Sequence, residues 1–181
     1  VILVVDMNWK PDSLAYTEFI SPLINVVDSL ELCLARHYTK VAPTDIESSS
    51  HIILSGTPLK DFAFLQNLSR FAWMKTYAKP LLGINAGMYT ILQTYHETLL
   101  PCTQIGMIKI TTKQPNPLFS GTFEAYSLHS YTTQLCPHTF EVLAESEKCI
   151  QAIKHRQKPI YGLLFHPEAR NRAIIERFAR L

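Results

Sequence analysis

Three short runs made almost wholly of apolar residues, VILVV (1–5), HIIL (51–54) and LLGI (81–84), constrain the fold of this chain most. Each gives way to a turn and then to a stretch with apolar residues at helical spacing. An apolar run of four or five residues without polar alternation suits a strand covered on both faces, and such strands belong to parallel sheets crossed by helices. The order predicts an α/β fold, a three-layer, doubly wound, mostly parallel sheet whose ligands sit outside the carboxyl ends of the strands. That edge carries Ser55 to Pro58 and Gly83 to Gly87.

The helical periods between the runs read as one helix from Leu14 to His37 with Pro22 near its first turn, and a second from Asp61 to Tyr77. The second turns Phe62, Leu65, Leu68, Phe71, Ala72 and Met74 inward. A short strand is expected near Lys40 to Ala42, and a third helix from Gly87 to about Glu97. The second half changes character. QIGMIKITT, EAYSLHS, FEVLAES, CIQAIKH and KPIYGLLFH read as strands with little helix between them, a small antiparallel extension that rejoins the main sheet at Ile160 to Phe165. A closing helix turns Ile174, Ile175 and Phe178 inward. No repeat, low-complexity tract or linker interrupts the 181 residues, so residues 1–181 read as one domain.

Composition excludes several functions. The formal net charge is +2 and no Lys/Arg run is dense enough to track phosphates, which argues against nucleic-acid binding. The apolar runs are too brief to span a bilayer, so no membrane role is expected. VILVVDMNWK lacks the basic leader and small-residue cleavage site of a signal peptide, which places the chain in the cytoplasm. Cys33, Cys102, Cys136 and Cys149 show no C-x-x-C spacing and no neighbouring His pair. They read as reduced, mostly buried thiols, with neither a metal nor a cofactor implied.

Three stretches carry chemistry. At KPLLGINAGMYTILQTY, a strand, a turn flanked by Gly83 and Gly87, and a helix form the architecture of a nucleophile elbow with Asn85 at its tip. FHPE sets His166 and Glu168 at a strand end, the base and its orienting carboxylate in a triad. LSGTP, residues 54–58, is a turn able to aim backbone N–H groups at a developing oxyanion.

Together, and in this order, these stretches resemble the class I glutamine amidotransferase domain, whose motifs read roughly S-G-G-P, G-I-C-x-G-M-Q and F-H-P-E. The similarity runs over nearly the whole chain. NPLFSG, ILSGTP and EVLAESEKCIQAIKHRQKPIYGLLFHPE look most like the glutamine amidotransferase part of GMP synthetase, which some organisms make as a separate subunit. The resemblance implies a flavodoxin-like fold, a cysteine nucleophile that attacks the glutamine amide, and ammonia passed to a synthetase-type partner. Residue by residue, it places the base at His166, its orienter at Glu168 and the nucleophile at Asn85. The oxyanion and substrate positions fall at Gly56, Thr57, Ala86, Tyr89, His129, Ser130 and Tyr131.

The departures matter as much as the matches. A carboxamide has no proton for His166 to remove and no thiolate, so Asn85 cannot act as the family's nucleophile. Thr57 replaces the second glycine of S-G-G-P and Tyr89 the glutamine of G-M-Q, whereas Gly56, Pro58, Gly83, Gly87, Met88, His166, Pro167 and Glu168 are kept. Three coordinated changes point to a naturally degenerate site. Asn also suits a left-handed turn tip, which costs most residues roughly 1–2 kcal/mol. The expectation is a pseudo-glutaminase that binds a glutamine-like ligand or a protein partner. The alternatives are an active glutaminase subunit carrying an engineered Cys-to-Asn change, or a related γ-glutamyl hydrolase. No G-x-x-x-x-G-K-[ST] loop is present, so amination would need a separate protein.

Overall fold

The computed structural model describes residues 1–135 and 138–181. Among the described residues nine strands form one mixed sheet: β1 Ile2–Asp6, β2 Cys33–His37, β3 His51–Leu54, β4 Leu81–Ile84, β5 Thr98–Thr112, β6 Thr122–Gln134, β7 Phe140–Glu145, β8 Ile150–His155 and β9 Ile160–Leu163. Their order is β2-β1-β3-β4-β9-β8-β7-β5-β6. The first five in that order run parallel, and β8, β7, β5 and β6 continue antiparallel. Every residue of β1, β3, β4 and β9 is buried, as strands covered on both faces must be.

Helices cover the two faces. On one, α1 (Ser21–Asp28) and α4 (Arg172–Phe178) bury Leu23, Val27, Ile174, Ile175 and Phe178 against Ile2, Val4, Ile53, Leu82 and Ile84. On the other, α3 (Ala86–Thr94) and the helical segment Ala63–Lys75 pack Phe64, Phe71, Met74, Met88 and Ile91 on Leu3, Val5, Ile52, Leu54 and Leu81. A short α2 (Pro43–Ser48) borders the second face. These layers are those of the doubly wound fold, and they put the ends of β1, β3, β4 and β9 at a common edge.

Four local expectations are corrected. The Leu14–His37 helix stops at Asp28, because CLARH is the edge strand β2, half exposed and so without a continuous apolar run. The strand expected at Lys40 to Ala42 is instead a 3-10 turn, Tyr38–Lys40, leading into α2. The Ala63–Lys75 segment winds in 3-10 turns broken at Asn67, so residues three apart share a face and Ala72 is exposed. Finally, Cys102 and Cys149 form a disulfide and are not reduced thiols; Cys136 lies outside the described residues. No helix among the described residues is long and apolar enough to cross a membrane.

β6 does more than edge the sheet. It pairs with β5 along its length, bridges to Phe165 through Ser127, and its Tyr126 carbonyl accepts from the His166 N–H at 2.8 Å. The antiparallel strands thus curl back, laying Leu128 to Tyr131 across the end of β4.

Candidate active site

The elbow at β4–α3 exists because two glycines let three backbones touch. A Cβ on Gly83 would lie 2.5 Å from the Gly87 carbonyl carbon, and one on Gly87 would lie 2.5 Å from the Leu54 carbonyl oxygen. Asn85 sits between them with φ 47° and ψ −101°. The positive φ follows the expectation; the ψ does not, since it lies outside the left-handed helical basin that Asn visits readily. Such a backbone costs on the order of 1–3 kcal/mol and persists only where its surroundings hold it. Here they do: Asn85 N–H donates to the Leu163 carbonyl at 2.7 Å, and its own carbonyl accepts from Tyr89 N–H at 3.0 Å.

At the end of β9, His166 Nδ1 and Glu168 Oε1 are 2.8 Å apart with both side chains almost wholly buried. Glu168 accepts from Nδ1–H, which turns Nε2 toward the Leu128 carbonyl, 3.5 Å away. The Phe19 ring flanks the imidazole at 5.5 Å. A methyl group placed on Gly56 would stand 2.5 Å from His166 Cε1 and 3.5 Å from Asn85 Cβ, so three motifs distant in sequence meet at one point. A cavity of about 290 Å³ reaches His166, Glu168 and Leu128 from the side of Phe19 and Tyr126. Asn85, Thr57 and Tyr89 do not line it.

The Asn85 side is filled by the chain itself. The Asn85 carboxamide donates from Nδ2 to the Leu128 carbonyl at 3.2 Å, while its Oδ1 faces Thr57 N–H at a long 3.5 Å. Tyr89 Oη accepts from the N–H groups of Ser130 (3.2 Å) and Tyr131 (3.1 Å) and donates to the Tyr131 carbonyl at 3.3 Å. Its ring packs edge-on against Tyr131 and beside Phe62. Burial pushes the Tyr89 hydroxyl up to about 12, against the opposing pull of these hydrogen bonds. Two hydroxyls stitch the neighbouring loop shut, Thr57 Oγ1 to the Asp61 carbonyl (3.1 Å) and Ser130 Oγ to the Leu59 carbonyl (3.3 Å). Asn85, Tyr89, Thr57 and His166 are each at most 4% exposed.

The fold therefore gathers Gly56, Thr57, Asn85, Tyr89, Ser130, Tyr131, His166 and Glu168. Ala86 opens α3, where N–H groups lack acceptors within the helix. His129 faces elsewhere: its ring nitrogens contact the Cys102 carbonyl (2.9 Å) and Gln151 Nε2 (3.1 Å). Leu128 takes part through its carbonyl, a role that leaves no residue-type signal in the sequence. Cys102 is committed to its disulfide, and burial pushes the Cys33 thiol up to about 11, with Asp28 adding to the shift. Among the described residues no group of three His, Cys, Asp or Glu side chains is arranged to hold a metal ion.

An elbow, an imidazole oriented by a carboxylate and a turn of backbone N–H groups on this fold define a glutamine amidotransferase architecture. Residues 17–178 match glutamine amidotransferase class-I, and the chain belongs to that family. Within it, the chain is similar to the archaeal proteins named as one subunit of glutamine-hydrolyzing GMP synthase. It is 37% identical over 123 residues to that of Methanococcus maripaludis, a match spanning 65% of this chain and 63% of the relative, less than two thirds of the relative's length. To that of Methanocaldococcus jannaschii it is 34% identical over 133 residues, 68% of this chain and 69% of the relative. A crystal structure of a Thermoplasma acidophilum protein, provisionally assigned to the same GMP synthase component, shares the fold with TM-score 0.83 at 18% identity, covering 99% and 92% of the two chains. A Thermotoga maritima glutamine amidotransferase does so with TM-score 0.72 at 17% identity, covering 99% and 81%.

Proposed function

We propose that this chain is a non-hydrolysing class I glutamine amidotransferase module. Its partner is a separate synthetase-type protein, which it serves in a regulatory or structural role. The observation that supports this reading most directly is the carboxamide at the elbow tip. His166 is oriented as a base, yet the group beside it offers neither an ionisable proton nor a thiolate. Loss of the nucleophile from a coupled catalytic unit costs on the order of a million-fold in turnover. The synthetase partner is inferred from the relatives, named as one subunit of a glutamine-hydrolysing GMP synthase.

Ammonia release from L-glutamine by the purified protein, read through a coupled glutamate dehydrogenase assay, tests the chemistry. Wild type and His166→Ala should match the buffer blank; release abolished by His166→Ala overturns the reading. Size-exclusion chromatography with the ATP-dependent GMP synthetase subunit of the same genome tests the partner. Co-elution at fixed stoichiometry is expected, and separate elution overturns that part.

A further inference from the structure

The polar groups of the pocket form two adjoining sets, Thr57 N–H with the Asn85 carboxamide, and Tyr89 Oη with the N–H groups of Ser130 and Tyr131. Two consecutive N–H groups converging on one oxygen is unusual in a strand, where successive N–H groups point to opposite sides. It arises here because Ser130 faces a bulge: the pairing of β5 with β6 shifts between Pro101 and Gln104, so Cys102 and Thr103 together oppose one residue. A pair of backbone N–H groups turned to one point is a receptor for an anionic oxygen. Tyr89 gives it a neutral hydroxyl, whose two acceptor positions and single proton are all used.

We propose that Tyr89 is a built-in occupant of this pocket, its hydroxyl standing where the carboxylate of a free α-amino acid would be received. The chain thereby closes its own pocket against such ligands. The inference rests on the non-hydrolysing reading and adds to it that the pocket is shut as well as unreactive. The neighbours act in the same direction. Phe62 and Tyr131 hold the ring in place, with Phe62 edge-on to Tyr131 at 5.5 Å, and Thr57 and Ser130 fasten the loop over it. Removing the phenol frees the N–H pair for a carboxylate, which accepts more strongly than a hydroxyl because the bond is charge-assisted.

Isothermal titration calorimetry with L-glutamine, and with 4-aminobutanamide, which lacks the carboxylate, tests this on wild type, Tyr89→Ala and Tyr89→Gln. Wild type should show no binding with either probe, and Tyr89→Ala should bind L-glutamine with a Kd at least about tenfold below the weakest affinity the titration can detect. Tyr89→Ala should ignore 4-aminobutanamide. Should that variant fail to give a cooperative thermal melt, Tyr89→Gln, which keeps a mid-sized side chain, carries the same expectation. Equal affinity for L-glutamine in wild type and variant overturns the proposal, as does a folded variant that binds neither probe or binds both alike. Ammonia is assayed in the same samples. Release by wild type defeats the non-hydrolysing reading, whereas binding with no release in Tyr89→Ala upholds both statements separately.

Discussion

Asn85 and His166 both face the Leu128 carbonyl, which accepts from Asn85 Nδ2 at 3.2 Å and lies 3.5 Å from His166 Nε2. In a working triad the free nitrogen of the base faces a proton it can take. Here both groups turn to a backbone oxygen supplied by β6, so the oriented half of the machinery is preserved as a packing unit around Glu168.

Restoring a thiol should not be enough to restore hydrolysis. Asn85→Cys leaves Tyr89 on the Ser130 and Tyr131 N–H groups and Thr57 tied to Asp61, so L-glutamine still lacks a place to sit. The expected outcome is ammonia release indistinguishable from wild type, with turnover appearing only when Tyr89→Gln is added. Turnover in Asn85→Cys alone would show that the pocket is already open, and would favour recent or artificial loss of a cysteine.

Gly83 and Gly56, which both pack against the elbow, should differ in what they tolerate. A methyl group on Gly83 meets the Gly87 backbone at 2.5 and 2.6 Å, and neither atom can move without separating β4 from α3. One on Gly56 meets the His166 ring, a side chain that can give way more readily than backbone. Gly56→Ala is expected to cost roughly 1–3 kcal/mol, the range for overpacking a core, and Gly83→Ala more than that. Urea unfolding of both variants checks the ranking, and a Gly83→Ala protein as stable as wild type would contradict the close approach.

Much of this architecture was legible in the sequence, and the exceptions share a physical cause. β1, β3, β4 and β9 announce themselves because burial on both faces demands an uninterrupted apolar run. β2 does not, since an edge strand with a half-exposed face has no such demand. Within the Asp61–Tyr77 stretch, Phe62, Leu65, Leu68, Phe71, Met74 and Tyr77 recur every third residue, a 3-10 period that a 3.6-residue reading blurs into an α-helix. The site motifs could be read because they require particular side chains. Its closure could not, because Leu128, Leu59 and Asp61 take part through their carbonyl groups and Tyr89 through the direction of one hydroxyl.

Acid should weaken the fold through His129. Burial pushes this imidazole down to about 4, with the positive field of His166 adding to the shift and the Cys102 carbonyl opposing it. The unfolded chain holds its histidines near 6.5, so between these values protons bind the unfolded state preferentially. Stability from this group is therefore full above about pH 6.5 and falls as pH drops toward 4, by about 3 kcal/mol in total. His51 and His155 are also lowered by burial and act in the same direction. Urea midpoints measured from pH 7.5 to 4.5 should fall in wild type and fall less in His129→Gln, which keeps a polar partner for Gln151. Parallel pH profiles for the two proteins would remove His129 from the account.

The disulfide should matter to stability and not to the elbow. Cys102 and Cys149 are 47 residues apart and tie the β5 bulge to the approach to β8, with the Cys102 carbonyl against His129 Nδ1. Closing a loop of that length restricts the unfolded chain by about 4 kcal/mol in the chain-entropy picture, and measured bridges typically deliver about 2–4. Adding dithiothreitol should lower the urea midpoint of wild type by a corresponding amount, and leave that of the Cys102→Ala/Cys149→Ala double variant unmoved. Neither cysteine takes part in the Tyr89 hydrogen bonds, so L-glutamine should remain excluded in both redox states. If the wild-type midpoint is the same with and without reductant, and thiol titration finds Cys102 and Cys149 free, then packing and the hydrogen bonds of Gln104 to Gln151 and Ser146 hold this corner, and the bridge contributes nothing to the fold.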